Sequence, residues 1–361
     1  MVNTVQITKT RSMKLIFLTI AEPGYSRSWV YYEILRRSGY EVEFRKISVK
    51  KVVKSLRLLR GKDSRKNLYI VMSPSHYLTV LVRIFLGKKI ILDAGWSLFE
   101  SSVLSRNQFG IFGFKLVKFY LIDWISAHFA TLVLVESIKQ KDFYSKLFLV
   151  RRRKIHCIYT SIDEFQFNAN SNLTMPPVYF KNSKIVLFRG KYAKEAGIEV
   201  LAKCTHLLEK LPITFWVFSP GLPDKFIFSR NTYVNREYIQ NKSDILKLYE
   251  DCTIALGQLS AHFRLRRTIP HKAFEASYMG TPYVTARSDG IGEVFREGYE
   301  MVCFEPGNAM DLSNTIIDLV GNKQRLAQLS LNIREKYDSA FSSSILRNEL
   351  IHLIDGFDIK K

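Results

Sequence analysis

Two trains of short apolar runs alternating with longer helical patterns, separated by one polar break, constrain this chain more than any other feature. In the first train, residues 14–19, 41–47, 67–72, 89–93, 132–136 and 154–160 read as strands. Helical patterns at 27–37, 77–86 and 138–147 lie between them, the first stopped by Gly39. The stretch NANSNLTMPPVYFKN at 168–182 then breaks the pattern with polar residues and prolines and reads as a linker. The alternation restarts with strands at 184–188, 213–218, 253–257 and 283–286, and helices at 197–211, 243–252 and around Glu275. Helices near 310–320, 323–337 and 343–354 close the chain. Strand–helix alternation of this kind builds parallel sheets covered on both faces. A chain of 361 residues is also long for one core. The expected fold class is therefore α/β: two Rossmann-like domains, 1–167 and 183–340, joined by the linker 168–182 and followed by a C-terminal helix within 341–361. Ligands bind at the carboxyl ends of strands in open α/β sheets, so the cleft between the domains is the expected site.

Charge is uneven along the chain. Residues 1–180 hold 29 Lys and Arg against 12 Asp and Glu, whereas residues 181–361 hold 25 against 21. An excess confined to one half points to an anionic partner for that half: a phospholipid surface, a lipid-phosphate acceptor or a nucleic acid. The densest tract runs from Arg45 to Lys66. There Val49, Val52, Val53, Leu56 and Leu59 share one helix face, and Lys50, Lys51, Lys54, Arg57 and Arg60 lie around the rest. This is either a solvated helix face or a stripe that lies on anionic lipid. The tract lacks interleaved aromatics and a recognition helix, so nucleic acid is not the expected partner. The run from Phe109 to Val135 is broken by Lys115, Lys118 and Asp123, and no apolar run reaches the roughly 18 residues of a membrane span. The run 15–21 is too short for a signal peptide. The expected location is the cytoplasm, with peripheral attachment to the inner face of the membrane as an extension. Cys157, Cys204, Cys252 and Cys303 lack CxxC spacing, which argues against a disulfide framework or a zinc site.

Several groups carry chemistry. Residues 188–198, FRGKYAKEAGI, form a strand, a glycine turn and a helix start. A helix N-terminus offers free N–H groups to phosphate, and Lys191 and Lys194 add point charges. Residues 269–295, IPHKAFEASYMGTPYVTARSDGIGEVF, hold Lys272 and Glu275 ahead of the small residues Ala276, Ser277 and Gly280. A strand and a turn containing Gly290, Ile291, Gly292 and Glu293 follow. Small residues and glycine let a ligand approach the backbone. In the first half, the turn Pro23-Gly24-Tyr25-Ser26 follows the first strand, and Asp93 ends another. His76, in a Ser-Pro-Ser-His turn, is a lesser candidate. No Asp-x-Asp pair occurs.

The segment 269–295 resembles the nucleotide-binding part of retaining GT-B glycosyltransferases of the group 1, family 4-like type, and the likeness weakens toward the N-terminus. The resemblance implies two domains facing across a cleft, with the N-terminal one holding the acceptor. It implies that the C-terminal helix crosses back to the N-terminal domain. It assigns the donor ribose to Glu275, donor phosphate to Lys191 and Lys194, backbone contacts to Gly290 and Ile291, and a place beside the donor to Glu293. Lys272 would reach the diphosphate or its neighbouring carboxylate, Gly24 the diphosphate or acceptor, and Asp93 the transferred sugar. The family's second phosphate-holding cation falls at Ala196, and its additional Glu falls at Arg267, so both contacts depart from the pattern. The implied function is metal-independent transfer of a sugar, with retention, from a nucleotide diphosphate sugar to a hydroxyl on a glycan or lipid-linked acceptor, in surface polysaccharide or glycolipid synthesis. No cofactor beyond the donor substrate is expected. The rivals are a basic nucleic-acid-binding protein of Rossmann type and a degenerate, non-catalytic relative.

Overall fold

The structure is a computed structural model that describes residues 13–21, 27–61, 64, 66–87, 89–104, 113–167, 171, 173–239 and 241–358. Its frame is two six-stranded sheets, every strand pair in them parallel. The N-terminal sheet contains β1 (Leu15–Thr19), β2 (Val42–Lys46), β3 (Leu68–Met72), β4 (Ile90–Gly95), β5 (Leu132–Val135) and β6 (Ile155–Cys157), in the order β2-β1-β3-β4-β5-β6. The C-terminal sheet contains β7 (Lys184–Arg189), β8 (Ile213–Phe218), β9 (Thr232–Asn235), β10 (Ile254–Leu256), β11 (Tyr283–Ala286) and β12 (Val302–Phe304), in the order β12-β11-β10-β7-β8-β9. The α/β class and the pair of Rossmann-like sheets agree with the sequence reading. The pattern had not shown β9 or β12.

Continuous apolar strands arise because both sheet faces are covered. Alternate residues of one strand enter different cores, as the two-residue period requires. Leu15 and Phe17 of β1 pack in one cluster, Ile16 and Leu18 in the other. Likewise Phe215 and Val217 of β8 face one side, Trp216 and Phe218 the other. The helix Arg27–Arg37 stops at Gly39, whose φ of +80° lies in the left-handed region that glycine adopts freely at a helix end.

The last helix, Ser343–Asp358, packs on the helix Arg27–Arg37 of the N-terminal half. Leu346, Leu350 and Ile354 join Val30, Ile34 and Leu35 in its core, and the Tyr40 hydroxyl donates to Asp355 at 3.0 Å. The segment 173–183 packs against the C-terminal sheet. There the Trp216 indole donates to Pro177 O at 3.2 Å, and Tyr179 N to the Thr214 hydroxyl at 3.1 Å. Among the described residues no helix is long and apolar enough to cross a membrane.

Candidate donor site and domain cleft

The carboxyl ends of β7 and β10 bring together the most chemically distinctive cluster in the C-terminal half. Glu275 lies on the helix His271–Met279 and is fully buried. Its Oε2 accepts from Arg189, the last residue of β7, and from the Tyr249 hydroxyl at 2.9 Å. Its Oε1 lies 3.4 Å from His271 Nδ1 and accepts no hydrogen bond. Burial would raise the Glu275 pKa, but Arg189 and His271 outweigh it and hold the group down at about 2. One turn earlier on the same helix, Lys272 reaches back under the β7 turn. Its Nζ donates to Gly257 O at 2.9 Å and sits 4.1 Å from the centre of the Phe188 ring. Burial first, and Arg189 second, push Lys272 down to about 7.

Glycine is required at two of these turns. A Cβ on Gly257 would fall 2.3 Å from Thr285 Oγ1. One on Gly290 would fall 2.5 Å from Leu265 O and 2.6 Å from Thr268 O. Gly290 thus lets the short helix Asp289–Gly292 press onto the 265–268 backbone, and the Ile291 side chain points into the core.

Lys191 and Lys194 are exposed on the turn after β7, outside this buried cluster. Ala196 is buried in an apolar cluster, where a cation would have no solvation. The residue of this turn that points inward is Glu195, whose Oε1 accepts from Arg264 at 2.9 Å.

Across the cleft, Asp93 within β4 is buried and fully engaged. Its Oδ1 accepts from Arg27 Nε at 3.0 Å and its Oδ2 from the Ser28 hydroxyl. His76 is also buried, with Nε2 3.8 Å from Asp123 Oδ1, and burial pushes it down to about 4. Gly24 lies outside the described residues. Glu293 faces the space between the domains with its carboxylate already engaged. Its Oε1 accepts from Ile138 N at 2.6 Å and the Tyr159 hydroxyl at 3.0 Å, and its Oε2 from Lys139 N at 3.1 Å. It therefore caps the N-terminus of the helix Ile138–Leu147 in the other domain, where a carboxylate is favoured. A cavity of about 630 Å³ lies at this junction, lined in part by Arg287, Ser288 and Asp289.

Arg267, where the family pattern expects a Glu, also bridges the domains. It pairs with Glu100 at 2.7 Å, its backbone O accepts from the Ser137 hydroxyl at 2.7 Å, and Gln140 holds the other Glu100 oxygen at 2.7 Å. Glu136, which follows β5, is buried and its Oε1 has no hydrogen-bond partner. Burial raises it to about 7, opposed by Arg27 and Arg264 and assisted by Glu100. Sequence reading passed over Arg189, Tyr249 and Glu136. The available signal for Glu136 was an acidic residue directly after the apolar run Leu132–Val135 and before the helix-capping Ser137. Among the described residues no group of three or more His, Cys, Asp or Glu is placed to hold a metal.

Residues 175–336 match the family model described as glycosyl transferases group 1. Over this segment the chain is similar to the group 1 glycosyl transferases. It contains the Glu275 cluster, Lys191, Lys194 and the Gly290 turn. The whole chain has the GT-B fold. Sucrose-phosphate synthase from Thermosynechococcus elongatus superposes with a TM-score of 0.73 at 13% identity, covering 97% of this chain and 100% of that one. The Anabaena protein HepE, solved with UDP-glucose, superposes at 0.65 with 13% identity, covering 95% and 99%. A variant of TarM from S. aureus, solved with fondaparinux, alpha-GlcNAc-glycerol and UDP, superposes at 0.62 with 17% identity, covering 83% and 57%. No curated protein matches the chain significantly.

Proposed function

We propose that this chain transfers a sugar from a nucleoside diphosphate sugar to an acceptor hydroxyl, with retention of anomeric configuration and without a divalent metal. The observation that carries the reading is the cluster of Glu275, Arg189 and Lys272 at the carboxyl ends of β7 and β10, inside the segment that matches the group 1 family. Glu275 Oε1 is an acceptor left open for a ribose diol. Donor entry would turn Arg189 from Glu275 toward the diphosphate. Lys191 and Lys194 stand on the turn before the helix Ile198–Leu207, whose N-terminus adds its dipole to the phosphate field. Cations and a fixed dipole stabilise a departing diphosphate without a metal clamp, so activity should persist in chelator. The acceptor would be a glycan or lipid-linked hydroxyl bound by the basic N-terminal domain. We place the reaction in surface polysaccharide or glycolipid synthesis, in the cytoplasm at the inner face of the membrane.

A panel of UDP-, GDP- and ADP-sugars tests the donor. A ligand that binds only the folded state raises the unfolding midpoint by mass action. UDP-sugars head the panel because HepE was solved with UDP-glucose. Stabilisation by at least one donor and its free diphosphate, followed by α-linked product from an α-donor in NMR, is the expected outcome. No stabilisation by any donor at millimolar concentration would favour the non-catalytic reading.

A further inference from the structure

One face of the N-terminal domain is built for a different medium from the rest of its surface. The helix Phe114–Phe129 turns Leu116, Phe119, Tyr120, Asp123 and Ala127 inward. Its opposite face carries Val117, Leu121 and Trp124, 52%, 42% and 37% exposed, at the three- and four-residue spacing that lines up one helical stripe. Phe114 extends the stripe at one end and Phe129 lies at the other. The neighbouring helix Leu78–Phe85 packs alongside and leaves Ile84 65% exposed. Contiguous exposed apolar surface on this scale marks an interaction site rather than scatter.

The surroundings of the stripe are cationic. Lys115 and Lys118 stand on the same helix. At its far end the Trp124 and His128 rings pack at 4.8 Å, and Lys154 Nζ donates to His128 O at 2.6 Å. After burial, the charges that act on Lys154 are Arg83 and Arg151, and all three push it down to about 8. Lys154 also lines a cavity of about 1060 Å³, where Lys89, Arg151 and Arg153 outnumber the single carboxylate, Glu349. Like charges gathered at the end of an apolar stripe suit a partner that is apolar inside and anionic at its boundary. A second copy of this chain, itself strongly basic overall, lacks that complement.

We infer that the face formed by the helices Leu78–Phe85 and Phe114–Phe129 docks on a bilayer of anionic phospholipid, with Val117, Leu121 and Trp124 entering the headgroup boundary and Arg83, Arg151 and Lys154 meeting the phosphates. This is a different surface from the basic stripe at 50–60, which keeps its exposed cations but leaves only Val49, Val53 and Leu58 as exposed large apolar residues. The inference deepens the proposed function by naming where a lipid-linked acceptor is presented, and rests on that reading only there. The helix Phe114–Phe129 runs from the cleft side, where β4 ends, to the far side, where β5 begins, so a docked bilayer reaches the cleft mouth.

The test is co-sedimentation of the full chain with phosphatidylglycerol and with phosphatidylcholine vesicles at two salt concentrations, alongside calorimetry with UDP. Wild type should bind the anionic vesicles, and Trp emission should shift to the blue. Leu121→Ser with Trp124→Ser should weaken binding roughly tenfold or more at both salts, since apolar insertion is not screened. Arg83→Gln with Arg151→Gln should weaken it chiefly at low salt. All these side chains lie on the surface, so the unfolding midpoint and UDP affinity should stay at wild-type values. Vesicle binding that survives the Leu121/Trp124 change, or disappears only on neutralising Lys50, Lys51 and Lys54, overturns the inference. So does a concentration-dependent dimer that the Leu121/Trp124 change dissolves. UDP binding without vesicle binding sinks the docking face and leaves the transferase reading; vesicle binding with no binding of UDP, GDP or ADP sinks only the latter.

Discussion

Glu275→Gln separates the electrostatic role of the buried carboxylate from its proposed role toward ribose. In the free protein the carboxyl group sits at about 2 against an ordinary 4.5, because Arg189 and His271 override the effect of burial. A depressed folded-state pKa means that the ionised form stabilises the fold above pH 4.5. That contribution is lost as pH falls through about 2. The size of the shift corresponds to about 3 kcal/mol, comparable with the cost of breaking a buried pair. Glutamine keeps an acceptor for Tyr249 and Arg189 but removes the charge. The variant should therefore unfold at lower urea than wild type at pH 7, and the gap should close progressively between pH 4.5 and 2. Losing a charged hydrogen bond of about 1.5–3 kcal/mol should also weaken UDP and donor together by at least tenfold. Urea unfolding across that pH range, with calorimetry of UDP at pH 7, reads both effects. A gap that is independent of pH would refute the Arg189 pairing, and unchanged UDP affinity would refute the ribose role.

Lys272 sits at about 7, so a diphosphate arriving beside it should raise it and draw in a proton at pH 8–9. Calorimetry in buffers of different ionisation heat should show that uptake in wild type and its absence in Lys272→Met. Because its folded-state pKa is depressed, charging Lys272 costs stability that is recovered as pH rises from about 7 toward 10.5, and the Met variant should lack this rise. Lys191→Ala should lower turnover at saturating donor more than it weakens nucleoside binding, since charge grows on the diphosphate as the bond breaks. Normal turnover in Lys191→Ala with loss in Lys194→Ala would move that role to the second lysine. Glu293→Ala removes the contacts to Ile138, Lys139 and Tyr159, so small-angle scattering should show a larger radius of gyration with the C-terminal domain still folded. An unchanged radius would show that Arg267 and Ser137 hold the domains without it.

Most of the strands legible in the sequence carry apolar runs, although β2, VEFRK, was legible without one. β9 and β12 escaped because Thr232–Asn235 and Val302–Phe304 are short edge strands, and TYVN and VCF are hard to tell from loop. Lys272 and Glu275 were legible because small residues and a glycine-ended helix surround them. Their partners were not, since Arg189 and Tyr249 are 86 and 26 residues from Glu275 along the chain and meet it only through the sheet and the packing of two helices. Glu293 was read as a donor neighbour because its turn has the right local shape. Its occupation by the helix Ile138–Leu147 depends on how two domains meet, which no local pattern encodes. Asp93 was placed toward the transferred sugar by the resemblance, with its partners in the fold unread. Arg27 and Ser28 reach it through the parallel stacking of β1 and β4 on either side of β3.

The C-terminal helix has a mechanical consequence. A chain that passed between the two domains once would leave them on a single tether, free to swing in any direction. Here it passes twice, and the two crossings touch. Ser161 donates to Phe341 O, Ser343 N donates to Glu164 Oε1 at 2.7 Å, and the Ser343 hydroxyl donates to Ile162 O at 3.3 Å. Two strands of chain bonded side by side behave as the knuckles of a hinge. They permit rotation about the line joining them and resist twisting and sliding. The cleft can open and shut like a book while the two halves keep their lateral register, so each closure returns the same atoms to the same place.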